Sequence, residues 1–200
     1  LATNGVWAPG GDRADITNDG LIRGGNYGIL VDDDLILDNG FFGTITGTNE
    51  DGVQADDRAD ITNNGIITGL DDGIFVDDDA TIVNNADGVI TGTNDIGVRV
   101  GDNSTVTNFG IIRGVIGVDA VSGTPFTLTN SGIIESTVLG GVAIDGGSGP
   151  GGADTLNLNF GSQVIGDVEL ADGFDVINFD GGLGSPFDAA SGPFSNSILG

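Results

Sequence analysis

The sequence predicts an all-β chain: a right-handed parallel β-helix, or solenoid, with about 21–24 residues and three short strands per coil. Three observations carry this. The chain repeats itself: RADITNDGLIRGGNYGILVDDD from Arg13 and RADITNNGIITGLDDGIFVDDD from Arg58 agree at 15 of 22 positions, at an offset of 45. Two markers subdivide that offset into steps of 21 and 24, too short for helical repeats of about 33 or more. Within each step the apolar residues alternate with polar ones, the period of a strand with one buried face.

The first strand of each coil carries the first marker, an apolar residue, a spacer and then Asn, at Asn18, Asn39, Asn63, Asn84, Asn108 and Asn130. Its inward column reads Ile16, Leu37, Ile61, Ile82, Val106, Leu128. The Asn column shares that inward parity, and buried amides must be hydrogen-bonded, so an amide ladder from coil to coil is expected. The second strand contributes Ile22, Ile45, Ile67, Ile90, Ile112 and Ile134. The third begins with the other marker, Gly followed by an aliphatic residue, at Gly28, Gly52, Gly73, Gly97, Gly117 and Gly141. It supplies two columns: Ile29, Val53, Ile74, Val98, Val118, Val142, and Val31, Ala55, Val76, Val100, Ala120, Ile144. Between these two, Leu30, Gln54, Phe75, Arg99, Asp119 and Ala143 have the mixed character of a solvent face. Stacked in register at ~4.8 Å per coil, six to eight coils make a rod roughly 30–40 Å long. The longer coils hold their extra residues at one corner, with Phe41 and Phe42 in one bulge and Ala86 and Asp87 in another.

Four segments follow. Residues 1–12 read as a partial coil, because Val6 and Ala8 fit the third-strand columns; residues 13–152 are the repeat coils; 153–182 are terminal coils, with Phe174 and Val176 continuing those columns; 183–200 are a Gly/Ser/Pro-rich tail or connector carrying Phe187 and Phe194. No basic segment followed by an apolar run opens the chain, so any signal peptide is expected to be already absent, and no apolar run is long enough for a membrane-spanning helix.

Composition narrows the function. The net charge is −25, from 30 acids against five arginines, with no Lys, His, Cys or Met. Phosphate-rich partners such as nucleic acid and anionic membrane are repelled, and cations are the natural counter-species. Without His, Cys or Lys, the usual triads and Lys or Cys nucleophiles are impossible. Paired carboxylates could serve a glycosidase, but these acids recur in every coil, whereas an active site is one irregular constellation. The chain is therefore expected not to be an enzyme, a polysaccharide-active one being the catalytic alternative. The outward residues Thr17, Asp38, Thr62, Val83, Thr107 and Thr129 are too mixed for an ordered threonine ladder. The candidate ligand set is the acidic column Asp32, Asp33, Asp34, Asp56, Asp57, Asp77, Asp78, Asp79 and Asp102. Equivalent carboxylates one coil apart repel, and Ca2+, a hard cation with oxygen ligands, would relieve this; a solvated acidic edge that discourages sideways pairing is the alternative. Ca2+ is the one cofactor expected, if any.

The units ITNNGIITG, DGIFVDD and LTNSGIIES resemble the passenger repeats of Gram-negative autotransporters, over residues 13–180. The segment from Gly151 to Phe179 is similar to coils near the end of such passengers. The resemblance implies a secreted structural or adhesive cell-surface protein, extracellular, with a host or neighbouring cell surface as partner and a β-barrel translocator elsewhere in the full protein. The same segment half-resembles the Gly-rich Ca2+ nonapeptides of type I secreted toxins, through Gly152-x-Asp154-x-Leu156 and Gly173-x-Asp175-x-Ile177. An extracellular filament of subunits stacked end to end is the alternative function, since open solenoid ends expose strand edges.

Overall fold

The computed structural model describes residues 3–11, 13–121, 125–147, 153–170 and 175–180. Those residues form a parallel β-solenoid; every strand pair is parallel, and each is in register with its copy one coil away except Val142–Asp145 with Asp167–Glu169, where the register shifts between Val142 and Ile144. A seven-stranded sheet makes one face, with strands Leu21–Gly24, Thr44–Gly47, Ile66–Gly69, Val89–Gly92, Ile111–Gly114, Ile133–Ser136 and Gln163–Ile165. It counts seven coils, and is called the second face below. The other two faces belong to one 14-stranded sheet. They join because Ile29–Asn39 and Val53–Asn63 run unbroken through the corner between the third strand of one coil and the first of the next. Two turns therefore have two strands where three are expected.

The corner is turned by one residue per coil in the left-handed region: Asp34 (φ 54°), Arg58 (φ 51°), Asp79 (φ 55°) and Asn103 (φ 56°). Asp and Asn tolerate this conformation better than most side chains; Arg58 holds it while paired to Asp34. Beside Asp34 and Arg58 the flanking pairs hold register, Asp33 with Asp57 and Leu35 with Ala59, whereas the strand breaks at Asp79 and at Asn103.

The inward columns are buried as their parity requires. Ile45, Ile67, Ile90, Ile112 and Ile134 are all fully buried on the second face, as are Leu37, Ile61, Ile82, Val106 and Leu128 on the first. The glycine of the third-strand marker is a packing necessity. A Cβ on Gly73 would lie 2.5 Å from the Gly97 carbonyl oxygen and 2.7 Å from Ile90 Cγ2. The same clash recurs down the column, so this corner brings successive coils closer than a side chain allows.

The third-face register departs from expectation in the last coils. Val118 pairs with Ile144, and Asp119 with Asp145, so Ile144 and not Val142 ends the first column and Ala143 takes the glycine position. The glycine-plus-aliphatic marker at Gly141 misleads because Gly140 (φ 70°) and a turn bond from Gly141 N to Val138 O lengthen that corner by two residues. One coil later Val168 pairs with Ile144. Val176 instead pairs with Thr155 and begins a first-face strand, Val176–Phe179. Phe174, Phe187 and Phe194 lie outside the described residues. At the other end, Val6–Ala8 pairs with Ile29–Val31 as the columns predict. The corner bulges are also placed as expected: Gly43 N donates to Gly40 O around Phe41 and Phe42, and Gly88 N to Asn85 O around Ala86 and Asp87.

Candidate functional site

Three polar arrays run along the rod. The first is the amide ladder. Asn18 Nδ2 donates to Asn39 Oδ1, Asn39 to Asn63, and Asn63 to Asn84, each at 2.8 Å; Asn84 to Asn108 and Asn108 to Asn130 follow at 2.9 Å. Each amide also closes its own corner: Gly65 N donates to Asn63 Oδ1 at 3.2 Å, and Asn63 Nδ2 to Gly65 O at 3.1 Å. The ladder stops where Leu158 takes the Asn register, and Asn130 Nδ2 turns to Gln163 O. It is a structural array with its donors used internally.

The second is the acidic corner predicted as a ligand set. Asp33, Asp57 and Asp78 form one in-register row. Asp56 and Asp77 lie on the other side of the strand. The carboxyls of both are pushed up, first by burial and then by neighbouring charges: Asp77, Asp32, Asp33 and Asp57 for Asp56, and Asp78 and Asp57 for Asp77. Other members are engaged in the corner itself. Asp32 Oδ2 accepts from Gly10 N at 2.7 Å, and Asp78 Oδ1 accepts from Asp102 N at 2.7 Å. Asp34 takes the Arg58 guanidinium on both oxygens, and that bond holds its carboxyl below the usual range. Asp34 and Asp79 turn the chain. A shallow groove beside them is lined by Arg13, Asp34, Arg58, Asp60 and Asp79.

The third array was not foreseen. At the opposite corner, between the second and third faces, Asp51 and Asp72 are buried. They sit in the position before the third-strand glycine, where other coils place Tyr27, Ile96 and Ile116. Asp51 Oδ1 accepts from Asp72 N, and Asp72 Oδ1 from Ile96 N, both at 2.9 Å. Arg99 crosses this corner from the third face. Its NH1 lies 3.0 Å from Asp72 Oδ2, its NH2 2.9 Å from Asp95 Oδ2, and its Nε 3.8 Å from Asp119 Oδ2. The guanidinium carbon stands 5.6 Å from the Phe75 ring centroid, within cation–π range. Asp71, Asp72 and Asp95 bring carboxylate oxygens within 4.8 Å of one another. Arg99 therefore occupies the electrostatic place a cation would take. Burial still dominates, and pushes Asp72 up to about 7 and Asp51 and Asp119 up to about 6. The signal available in the sequence was an Asp on an inward position of the second marker, at Asp51 and Asp72 but at neither flanking coil.

The half-match to a Ca2+ nonapeptide also finds a place. Asp154 Oδ1 accepts from Phe126 N at 3.1 Å, and Asp175 Oδ1 from Asp154 N at 3.0 Å, while Leu156 and Ile177 continue the first-face core column. No protein-family model, curated protein or solved structure matches this chain.

Proposed function

We propose that this chain is a non-catalytic structural or adhesive β-solenoid of a secreted bacterial cell-surface protein. The observation that carries the proposal is repetition. The amide ladder and the acidic corner recur coil after coil, and the irregular polar constellation around Arg99 is held by its own ion pairs. Long regular faces suit display and adhesion. Chemistry needs a single convergent site with an accessible reacting group. The likeness of the repeats to autotransporter passengers supports secretion to the surface.

Display of the chain on a non-adherent bacterium tests this, with binding to host cells or to neighbouring bacteria as the readout. Gain of binding is expected; no gain on any surface overturns the adhesive part. Release of reducing ends from a polysaccharide panel would overturn the non-catalytic part.

The second reading is a filament of subunits stacked end to end. It is favoured by outermost strands that pair on one side alone among the described residues: Val6–Ala8, Ala14–Asn18 and Leu21–Gly24 at one end, and Gln163–Ile165 and Asp167–Glu169 at the other. Unpaired strand edges are templates for further pairing. Electron microscopy separates the two, rods of fixed length against fibres that grow with time.

A further inference from the structure

The second face differs from the rest of the rod in charge. Its outward positions form two in-register columns. Over the first six coils one reads Leu21, Thr44, Ile66, Val89, Ile111, Ile133 and the other Arg23, Thr46, Thr68, Thr91, Arg113, Glu135; Gln163 and Ile165 continue them in the seventh. In a chain with 30 acids, Glu135 is the one acid in these columns. Arg23 and Arg113 make no ion pair among the described residues, whereas the other three arginines each do. The corner beside the aliphatic column exposes Phe41, Phe42 and Phe109, and Leu21 is 69% exposed. Among the described residues, a face with one acid on so acidic a rod is a place where two like-charged copies can meet closely.

We propose that this face pairs with a second copy of the chain, the rods antiparallel and related by a two-fold axis lying along the strands between the third and fourth coils. Such an axis sets each column against itself in reverse order. Arg23 then faces Glu135 of the second copy at both ends of the interface, Thr46 faces Arg113, and Thr68 faces Thr91. In the other column Leu21 meets Ile133, Thr44 meets Ile111, and Ile66 meets Val89. At the corner Phe41 and Phe42 come opposite Phe109. A two-fold along the rod axis would instead set Arg23 against Leu21, Glu135 against Ile133 and Arg113 against Ile111, leaving all three charges unpaired, whereas the antiparallel arrangement leaves only Arg113 without an opposite charge. Six facing coils give a contact roughly 29 Å by 13 Å on ordinary strand spacings. With the phenylalanine corner it stays below the ~800 Å2 per partner of a standard interface, so the dimer is weak. The pairing is lateral and independent of any end-to-end junction.

Sedimentation equilibrium up to about 1 mM protein, the range of weak complexes, reads the association. A concentration-dependent dimer is expected. Ile66→Glu, at an exposed position, should abolish it, and Arg23→Glu should weaken it about tenfold, as loss of a rim charge pair does. Arg23→Glu combined with Glu135→Arg should restore it, with circular dichroism unchanged throughout. The register is read separately, because the chain has no cysteine. Oxidising a mixture of the single variants Leu21→Cys and Ile133→Cys should give a covalent heterodimer in preference to either homodimer. A monomer at every concentration overturns the proposal, as does cross-linking of Leu21→Cys chains chiefly to themselves.

Discussion

Asn63 makes hydrogen bonds in four directions: from Asn39, to Asn84, and both ways with Gly65. Asn63→Leu would keep the number of side-chain heavy atoms while taking from Asn39 Nδ2 and Asn84 Oδ1 their Asn63 partners in a dry interior. The expected loss is about 2–3 kcal/mol, the cost of buried groups left without partners, read from urea unfolding. A loss below about 0.5 kcal/mol, ordinary for a surface change, would show the ladder to be dispensable. Leucine already occupies this register at Leu158, where the ladder ends and nothing is stranded. Asp51 tests the other buried array. Its carboxyl is pushed up to about 6, so the folded chain holds its proton more tightly than the unfolded one. A raised carboxyl pKa adds stability in acid that is lost as pH climbs from about 4 to 6, and Asp72 extends the window to about 7. The melting temperature should therefore rise between pH 8 and pH 4.5, contrary to ordinary acid denaturation. Asp51→Asn keeps the acceptor for Asp72 N and should flatten that profile while raising the melting temperature at pH 8; an unchanged profile refutes the burial argument. Asp34, lowered by Arg58, works with the opposite sign and only in stronger acid. The Asn column was legible because its spacing and parity repeat six times. Asp51 and Asp72 were not, since an Asp before Gly has the signature of any turn.

Strands of this chain are short, and their faces are set by period-two parity. Ile67 is fully buried between Ile45 and Ile90, whereas its neighbour Thr68 points outward. Ile67→Asp should cost roughly 4 kcal/mol or more, because an unpaired charge enters an aliphatic interior. Thr68→Asp should change the stability of dilute protein by less than about 1 kcal/mol. Similar urea midpoints for the two variants would contradict the assigned parity. Parity was readable wherever a marker kept its distance from the strand that follows. It failed at Gly141, where a positive-φ turn at Gly140 inserted residues that no periodicity announces. The merging of third and first strands across Asp34 and Arg58 was hidden for a related reason. The same one-residue left-handed corner is spanned by a strand at Asp34 and Arg58 but interrupts it at Asp79 and Asn103, a difference no sequence pattern announces.

At the scale of the rod, repulsion between like charges outweighs the few ion pairs. A net charge of −25 over seven coils makes the compact state repel itself, so any salt should raise the melting temperature by screening. If the corner at Asp32–Asp34, Asp56–Asp57, Asp77–Asp79 and Asp102 is a solvated edge, CaCl2 and NaCl of equal ionic strength should shift it equally. A distinctly larger shift with Ca2+ would establish binding to the folded state by mass action. The architecture itself was legible because a solenoid writes its cross-section into the sequence once per coil. Electrostatics across coils was not, since Arg99 meets Asp72 and Asp119 only after stacking brings three coils together. The amide ladder also gives the rod a direction that its repeats alone would not. Every link from Asn18 to Asn130 donates toward the later coil, so six side-chain dipoles lie head to tail along the axis and polarise one another. The string closes on backbone at both ends, Asn130 Nδ2 donating to Gln163 O and Asn18 Oδ1 accepting from Gly20 N. The rod therefore carries a polarity along its axis, and two rods laid antiparallel cancel each other's fields.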